Sequence, residues 1–180
     1  MLTARLLARR AQRRPFSGSG LTSEQFMKKM QNEPILVYKK GSAERVALDA
    51  ELKIMAAKTH EVPLRIGNKK VTNSLEQKQV MPSDHAHVLA RYTYATAAQI
   101  NEAIEAGMAV REKWEQTPLK KRADILLHAA DLCSGKYRMK LNASTMLGQG
   151  KNIIQAEIDA ACELIDFFRF NAKFALDLEK

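Results

Sequence analysis

The last 30 residues contain the longest uninterrupted helical pattern in the chain. No proline or glycine follows Gly150, so about 28 residues can form one helix, about 40 Å long at 1.5 Å per residue. The helix has one main stripe of apolar residues and a second apolar set that lies mostly outside this stripe. We therefore expect it to be buried on more than one side, and the chain to be the front part of a larger fold. The main stripe follows alternating steps of four and three (Ile154, Ile158, Ala161, Ile165, Phe168, Ala172 and Ala175), and the second set is Leu164, Phe167, Phe170 and Phe174.

Upstream of this helix, short strands are followed by helices. Ser42 begins a helical pattern, and Gly67-Asn68 is a hairpin signal between two short alternating segments. Further strands are predicted at Val80 and over residues 88–94. From residue 96 the pattern is helical, with a Thr96–Gln99 capping box and Thr117 as a predicted N-cap before Pro118. The sequence therefore predicts an α+β arrangement, mostly helical, with a few short N-terminal strands and one long C-terminal helix.

The net charge of +9 is concentrated at one end of the chain. Residues 1–20 contain five arginines and no acidic residue, and Arg14-Pro15-Phe16-Ser17 resembles a matrix-processing site. This composition is typical of a mitochondrial transit peptide, although a disordered basic tail remains the alternative. We therefore divide the chain into a transit peptide, residues 1–20, and an incomplete domain, residues 21–180. The sequence lacks the basic stripe with interleaved aromatic residues that would indicate nucleic-acid binding. It also has no apolar run of the 18 or more residues that a membrane span needs.

The candidate chemical motifs have plainer interpretations. Gly148-Gln149-Gly150-Lys151 lacks the glycine and the Ser or Thr that a phosphate-binding loop requires, so we interpret it as a helix end followed by a new helix start. Cys133 and Cys162 have no activating base nearby in the sequence and are predicted to be small buried hydrophobic residues. His85 and His87 have no third metal ligand nearby and are predicted to be solvated turn residues. The sequence predicts no metal site.

Three charged residues of the long helix lie among apolar neighbours. Asp166 and Arg169 are three residues apart and can pair on the helix surface. Glu163 has no cation on its own face within one turn. It is therefore either exposed to solvent or paired with a group from elsewhere in the fold or from a ligand.

The sequence resembles the aldehyde dehydrogenase family, and within it the enzymes that oxidise glutamate γ-semialdehyde (1-pyrroline-5-carboxylate). The resemblance covers roughly residues 32–180 and is most specific in the long helix. Cys162 stands where a small residue such as alanine is typical, and residues 83–87 differ from the usual turn. The residues that carry the resemblance are 148–175, Asn101 to Ala106, Lys113-Trp114, Arg122-Ala123, Ala129-Ala130-Asp131, Asn32-Glu33-Pro34 and Gly41-Ser42.

The resemblance implies an α/β fold in the full enzyme, NAD as cofactor, and oxidation of L-glutamate γ-semialdehyde to L-glutamate in proline catabolism. It also implies a homodimer in the mitochondrial matrix, with no nucleic-acid or membrane partner. In this family a glutamate in the position of Glu163 lies at the aldehyde pocket and can receive the substrate's α-amino group, which makes Glu163 the candidate substrate-binding residue. The family's catalytic cysteine, general-base glutamate and cofactor-binding strands have no counterpart here. We therefore expect the 180-residue chain alone to be inactive.

A non-enzymatic alternative stays open. The chain could be a truncated product that binds or regulates the full-length subunit through its helical surface.

Overall fold

A computed structural model describes residues 22–179 of the chain. The predicted transit peptide lies outside these residues. The elements follow one another as α1 Ser23–Lys28, α2 Ala43–Ala56, β1 His60–Val62, β2 Leu64–Ile66, β3 Lys69–Val71, β4 Glu76–Met81, β5 Asp84–Thr93, α3 Ala97–Glu115, α4 Leu119–Ser134, α5 Arg138–Gln149, α6 Ile153–Ala156, a π-helical turn Glu157–Cys162 and α7 Glu163–Leu178. The predicted α+β arrangement, mostly helical and ending in a long helical segment, is confirmed.

The strands form one three-stranded sheet and one hairpin. In the sheet, β5 lies between β1, to which it is parallel, and β4, to which it is antiparallel. The hairpin β2–β3 turns at Gly67, whose φ of 53° lies in the left-handed region that glycine adopts without a steric penalty. The hairpin prediction is therefore confirmed. The parallel strand β1 was not predicted, because its three residues are too few to show a period of two.

Side-chain caps fix the starts of α1, α2, α3 and α6. Ser42 caps α2, and the Thr96–Gln99 capping box at the start of α3 is present as predicted. Gly150 ends α5 in the left-handed conformation, with φ of 67°, which confirms the interpretation of the Gly148–Lys151 motif. The prediction for Thr117 was wrong: Pro118 is the N-cap of α4, and the Thr117 hydroxyl donates instead to the Lys113 carbonyl at the end of α3.

Two groups of buried side chains form the core. In the first, Leu36 and Tyr38 of the extended segment before α2 pack against residues of α2 and α5. In the second, Ala130 of α4 packs against Ala161 and Ile165 of the long helical segment. The extended segment that contains Glu33 to Tyr38 is therefore packed against α2 and α5, and α4 packs against the long helical segment.

The long helical segment is apolar on two sides, as predicted, but only one side is covered. Ala161, Ile165 and Ala172 are fully or almost fully buried, whereas Phe167 is 63% exposed. Helix α3 has no buried residue and exposes the apolar side chains of Ile104 and Trp114. Among the described residues, no helix is long and apolar enough to cross a membrane.

Candidate functional site

A cavity of about 380 Å³ lies beside the first turns of α7. Its lining combines carboxylates, amides and phenylalanine rings, a composition that suits a small ligand carrying a positive charge. The lining residues are Asn32, Glu163, Asp166, Phe167, Phe170, Asn171 and Phe174.

The two carboxylates of this cavity have different environments. Asp166 accepts hydrogen bonds from the Asn32 side-chain amide and from the Glu33 backbone N–H, both at 2.8 Å. Glu163 is exposed and makes no side-chain hydrogen bond or ion pair with any described residue. Of the alternatives predicted for Glu163, the structure shows the exposed one. Glu163 is therefore the carboxylate of the cavity that is available to a ligand.

The predicted surface placement of Arg169 was wrong. Arg169 is fully buried, and its Nη1 donates to Glu33 Oε2 at 2.5 Å. Its Nη2 lies 3.3 Å from Oδ1 of Asp131, which also accepts the Ser23 backbone N–H at 2.7 Å. The reason for the error is that the extended segment and α4 bring carboxylates from distant parts of the sequence to this guanidinium.

A buried ion network extends from Arg169 to the other side of the extended segment. Glu33 bonds Arg169 with one carboxylate oxygen and Nη1 of Arg138 with the other. Nη2 of Arg138 donates to Glu157 Oε1 at 2.5 Å and to the Pro34 carbonyl at 2.7 Å. All four charged side chains are fully buried. Such charges are tolerated in an interior only when each is paired and hydrogen-bonded, as here.

Glu157 has a complete set of donors for its two carboxylate oxygens. Oε1 accepts the Leu36 backbone N–H at 2.8 Å, and Oε2 accepts the Tyr38 hydroxyl and the Asn142 amide, both at 2.7 Å. Burial alone would raise the pKa of Glu157, but the hydrogen bonds and the charge of Arg138 outweigh it and hold that pKa below its ordinary value. Burial raises the pKa of Tyr38, and the neighbouring Glu157 carboxylate raises it further. Glu157 is therefore ionised, and Tyr38 is a neutral donor.

The two cysteines are not activated. Burial raises the pKa of Cys162 to about 12, and the charge of Glu157 adds to this effect. Burial also raises the pKa of the partly buried Cys133 thiol. A thiol must ionise to act as a nucleophile, so neither residue is suited to that role at neutral pH. The prediction that Cys162 is buried is confirmed, and Cys133 is partly buried.

The histidines do not form a metal site. His85 is exposed, whereas the Nε2 atom of His87 lies 2.9 Å from the Ala56 carbonyl and is part-buried rather than solvated. Within residues 22–179 no group of three or more His, Cys, Asp or Glu side chains could hold a metal ion.

The described residues do not fit a dinucleotide by themselves. Dinucleotide folds place a glycine-rich turn between a parallel strand and the helix that receives the pyrophosphate. Between residues 22 and 179 the one direct connection from a strand into a helix, residues 94–96 between β5 and α3, contains no glycine.

The chain belongs to the aldehyde dehydrogenase family, because the model of that family matches residues 70–180. It is 46% identical to the human protein named mitochondrial delta-1-pyrroline-5-carboxylate dehydrogenase over an alignment of 180 residues that covers 99% of this chain and 32% of that protein. The mouse protein of the same name is 50% identical over 151 residues, 84% of this chain and 27% of that protein. The chain therefore spans about a third of the length of these relatives.

A solved structure of the same type has a similar fold. The crystal structure of the delta-pyrroline-5-carboxylate dehydrogenase from Mycobacterium tuberculosis, bound with NAD and cobalamin, superimposes with a TM-score of 0.80 at 42% identity. The alignment covers 83% of this chain and 29% of that one. The aldehyde dehydrogenase-like fold expected from the resemblance is confirmed.

The buried ion network was not predicted from the sequence. Arg169 was noted for its charge, but Glu33, Arg138 and Glu157 were not. One signal was available for Glu157, which lies four residues before Ala161 and so continues the buried stripe at helical spacing. No comparable signal marks Arg138, which stands in a mixed sequence at the start of α5.

Proposed function

We propose that this segment supplies the substrate-amine side of the active site in an NAD-dependent dehydrogenase that oxidises L-glutamate γ-semialdehyde to L-glutamate. The observation that carries the proposal is the environment of Glu163. Among the charged side chains of residues 157–177, it alone makes no hydrogen bond or ion pair with the described residues, and it lines the cavity beside α7. The names of the human and mouse relatives support this substrate.

The chemistry of the cavity fits the α-ammonium group of such a substrate. The Glu163 carboxylate would accept a charge-assisted hydrogen bond from the ammonium. The rings of Phe167, Phe170 and Phe174 would place apolar faces that attract a cation beside this pair. Asp166 is held by Asn32 and Glu33, so it would shape the cavity wall rather than bind the ligand.

NAD would supply the acceptor for the hydride that leaves the aldehyde carbon, as the NAD-bound Mycobacterium tuberculosis structure suggests by analogy. The described residues do not hold this cofactor by themselves, so their proposed role is confined to binding and orienting the substrate. We also propose a mitochondrial matrix location, with residues 1–20 as the transit peptide and residues 21–180 as part of the catalytic domain. The mitochondrial names of the relatives support this location. Import of a fluorescent protein fused to residues 1–20 would test it.

The substrate role is tested in a chimera in which this chain replaces the 180 aligned residues of the human relative. Glu163→Gln should raise KM for glutamate γ-semialdehyde by about 10- to 100-fold, because a hydrogen bond to a charged group contributes about 1.5–3 kcal/mol. The KM for the five-carbon aldehyde acid that lacks the amino group should change far less. Glu179→Gln, which neutralises an exposed carboxylate beyond the end of α7, is the matched control. Equal increases for both aldehydes would refute the amine contact.

A second candidate function is supported by the exposed apolar surface. Helix α3 and the outer side of α7 leave Ile104, Trp114, Phe167 and Phe174 about half exposed or more, and such surface marks an interaction site. The chain could therefore bind a full-length subunit instead of acting as part of one. Purified chain that reduces no NAD, but co-elutes with the human relative in size-exclusion chromatography, would favour this candidate.

A further inference from the structure

The turn that precedes Glu163 is a π turn and not an α turn. It comprises Glu157–Cys162, and the Glu163 backbone N–H closes it by donating to the carbonyl of Ile158, five residues earlier. A π turn accommodates one more residue than an α turn, so it changes the direction of every side chain that follows. The direction of the Glu163 side chain relative to the residues before the turn is therefore set by this turn.

The two end residues of the π turn meet at Arg138. Nη2 of Arg138 lies 2.5 Å from Glu157 Oε1 and 3.4 Å from the Cys162 sulfur. Residues five apart in an α-helix point about 140° away from each other, at 100° per residue. In a turn closed by bonds between residues five apart, they lie on nearly the same side. Only the π turn lets Glu157 and Cys162 face one buried guanidinium.

The same turn aligns the two halves of the ion network. Glu157 and Arg169 are twelve residues apart, which would separate them by about 120° around a regular α-helix. Because the π turn accommodates one extra residue, the two side chains are rotated by the equivalent of eleven α-helical residues. The angle between them around the helix axis is then about 20°. Both side chains can then reach the extended segment, where Glu33 joins Arg138 to Arg169.

We propose that Arg138 and Glu157 are positioning residues for the cavity beside α7. Their buried ion pair holds the π turn, and the π turn absorbs the extra residue that would otherwise rotate Glu163 away from the cavity. The structural part of this proposal is independent of the enzyme's activity. Its consequence for substrate binding rests on the function proposed above for Glu163.

The structural part is tested on the chain itself. The double variant Arg138→Met/Glu157→Leu removes the pair without leaving either partner alone, and the Glu163 N–H should then donate to the Asp159 carbonyl, four residues back. Scalar couplings across hydrogen bonds, measured by NMR, identify the acceptor. Leu48→Ala, a buried change in the other part of the core, is the control and should keep the Ile158 bond. A double variant that also keeps the Ile158 bond overturns the proposal.

A conservative variant should preserve the turn. In Glu157→Gln one oxygen can still accept from Arg138, and the new amide N–H₂ faces the amide of Asn142. The Oδ1 atom of Asn142 is buried and has no hydrogen-bond partner among the described residues, so a flip of that side chain would supply an acceptor. Retention of the Ile158 bond in this variant is the expected result, and its loss would overturn the account of the network.

Deletion of Asp159 provides a second test should the double variant not fold. The deletion removes the extra residue, so Glu157 and Cys162 become four apart and face Arg138 from a regular α-helix. We expect the shortened chain to fold with Glu163 still directed into the cavity. A crystal structure in which the deletion turns Glu163 out of the cavity, or detaches Glu157 from Arg138, would overturn the proposal.

The consequence for binding is measured in the chimera with the human relative. The double variant should raise KM for the amino-bearing aldehyde about as much as Glu163→Gln does, and Leu48→Ala should not. If Glu163→Gln leaves KM unchanged, the proposed function is refuted. The NMR test of the Ile158 bond would still decide whether the ion pair holds the π turn. The positioning role would be overturned if the double variant loses the π turn but keeps its selectivity for the amino-bearing aldehyde. This outcome counts only in a chimera whose KM responds to Glu163→Gln.

Discussion

Glu33 bridges two buried arginines, so its neutralisation is a direct test of the ion network. Glu33 is 3% exposed and bonds Arg138 through Oε1 and Arg169 through Oε2. Glu33→Gln preserves the size and shape of the side chain. It also replaces one carboxylate oxygen with an N–H₂ group, which must then face the N–H donors of one arginine.

The expected cost follows from the burial of all the groups involved. Breaking a buried ion pair from one side costs about 3–5 kcal/mol, because the remaining charge keeps its desolvation penalty. Arg138 retains Glu157, and Arg169 retains Asp131 at 3.3 Å, so we expect the lower part of this range. A typical domain has about 5–15 kcal/mol of stability, so even 3 kcal/mol is a large fraction.

Urea unfolding of the purified chain, followed by far-UV circular dichroism, measures this effect. With an m value of about 2 kcal/mol per M, a loss of 3 kcal/mol lowers the midpoint by about 1.5 M. The matched control is Glu24→Gln, which neutralises a surface partner of Lys28 and should cost under about 1 kcal/mol. A Glu33→Gln midpoint within 0.3 M of the control's, taken as a threshold of about 0.6 kcal/mol, would refute the reasoning.

Three further predictions test neighbouring features. Glu157 has a lowered pKa in the folded state, so its contribution to stability is complete above the ordinary value of 4.5 and is lost as the pH falls through the folded-state value. Between pH 6 and 3, the free energy of unfolding in urea should therefore fall less in Glu157→Gln than in the unmutated chain. The Cys162 thiol is buried and has a pKa of about 12, so it should resist iodoacetamide at pH 7.5 in the native chain and react after unfolding. Mass spectrometry measures the alkylation, and equal rates in both states would contradict the burial of Cys162. Ile104 is 58% exposed on α3, so Ile104→Ser should change the unfolding free energy by less than about 0.5 kcal/mol, and a larger loss would mean that the α3 face is covered in solution.

Local signals in the sequence were sufficient for most of the elements. The capping box at Thr96 and the glycine at position 67 act within a few residues, so their structural effect can be predicted without knowledge of the rest of the fold. Helix α1 was missed despite its own capping box at Thr22, because six residues are too few to show a helical period. The π turn was also missed, since its cause lies outside the helix, in the guanidinium of Arg138.

The candidate site was predictable only in part. Glu163 was noted because it lacks a cation within one turn, and the family resemblance made it the candidate substrate-binding residue. The structure places it on a cavity wall without a partner among the described residues. Asn32 could not be assigned to the same wall from the sequence, because it lies 134 residues from the Asp166 carboxylate that holds it. Contacts of this length depend on the packing of the extended segment between helices, which periodicity does not encode.

The charged residues on the two sides of the long helical segment have opposite environments, buried and paired on one side and exposed on the other. This contrast links the fold to the proposed site. On the inner side, Glu157 and Arg169 are fully buried and paired, and they fix the helix to the extended segment. On the outer side, Glu163 remains unpaired among the described residues, within a lining of three phenylalanine rings. A rigid helix fixes the backbone from which the Glu163 side chain extends, so binding a cation would restrict the side chain alone. Under the proposed function, the inner network would supply what an ammonium-binding group on the outer side requires, a fixed backbone position for its side chain.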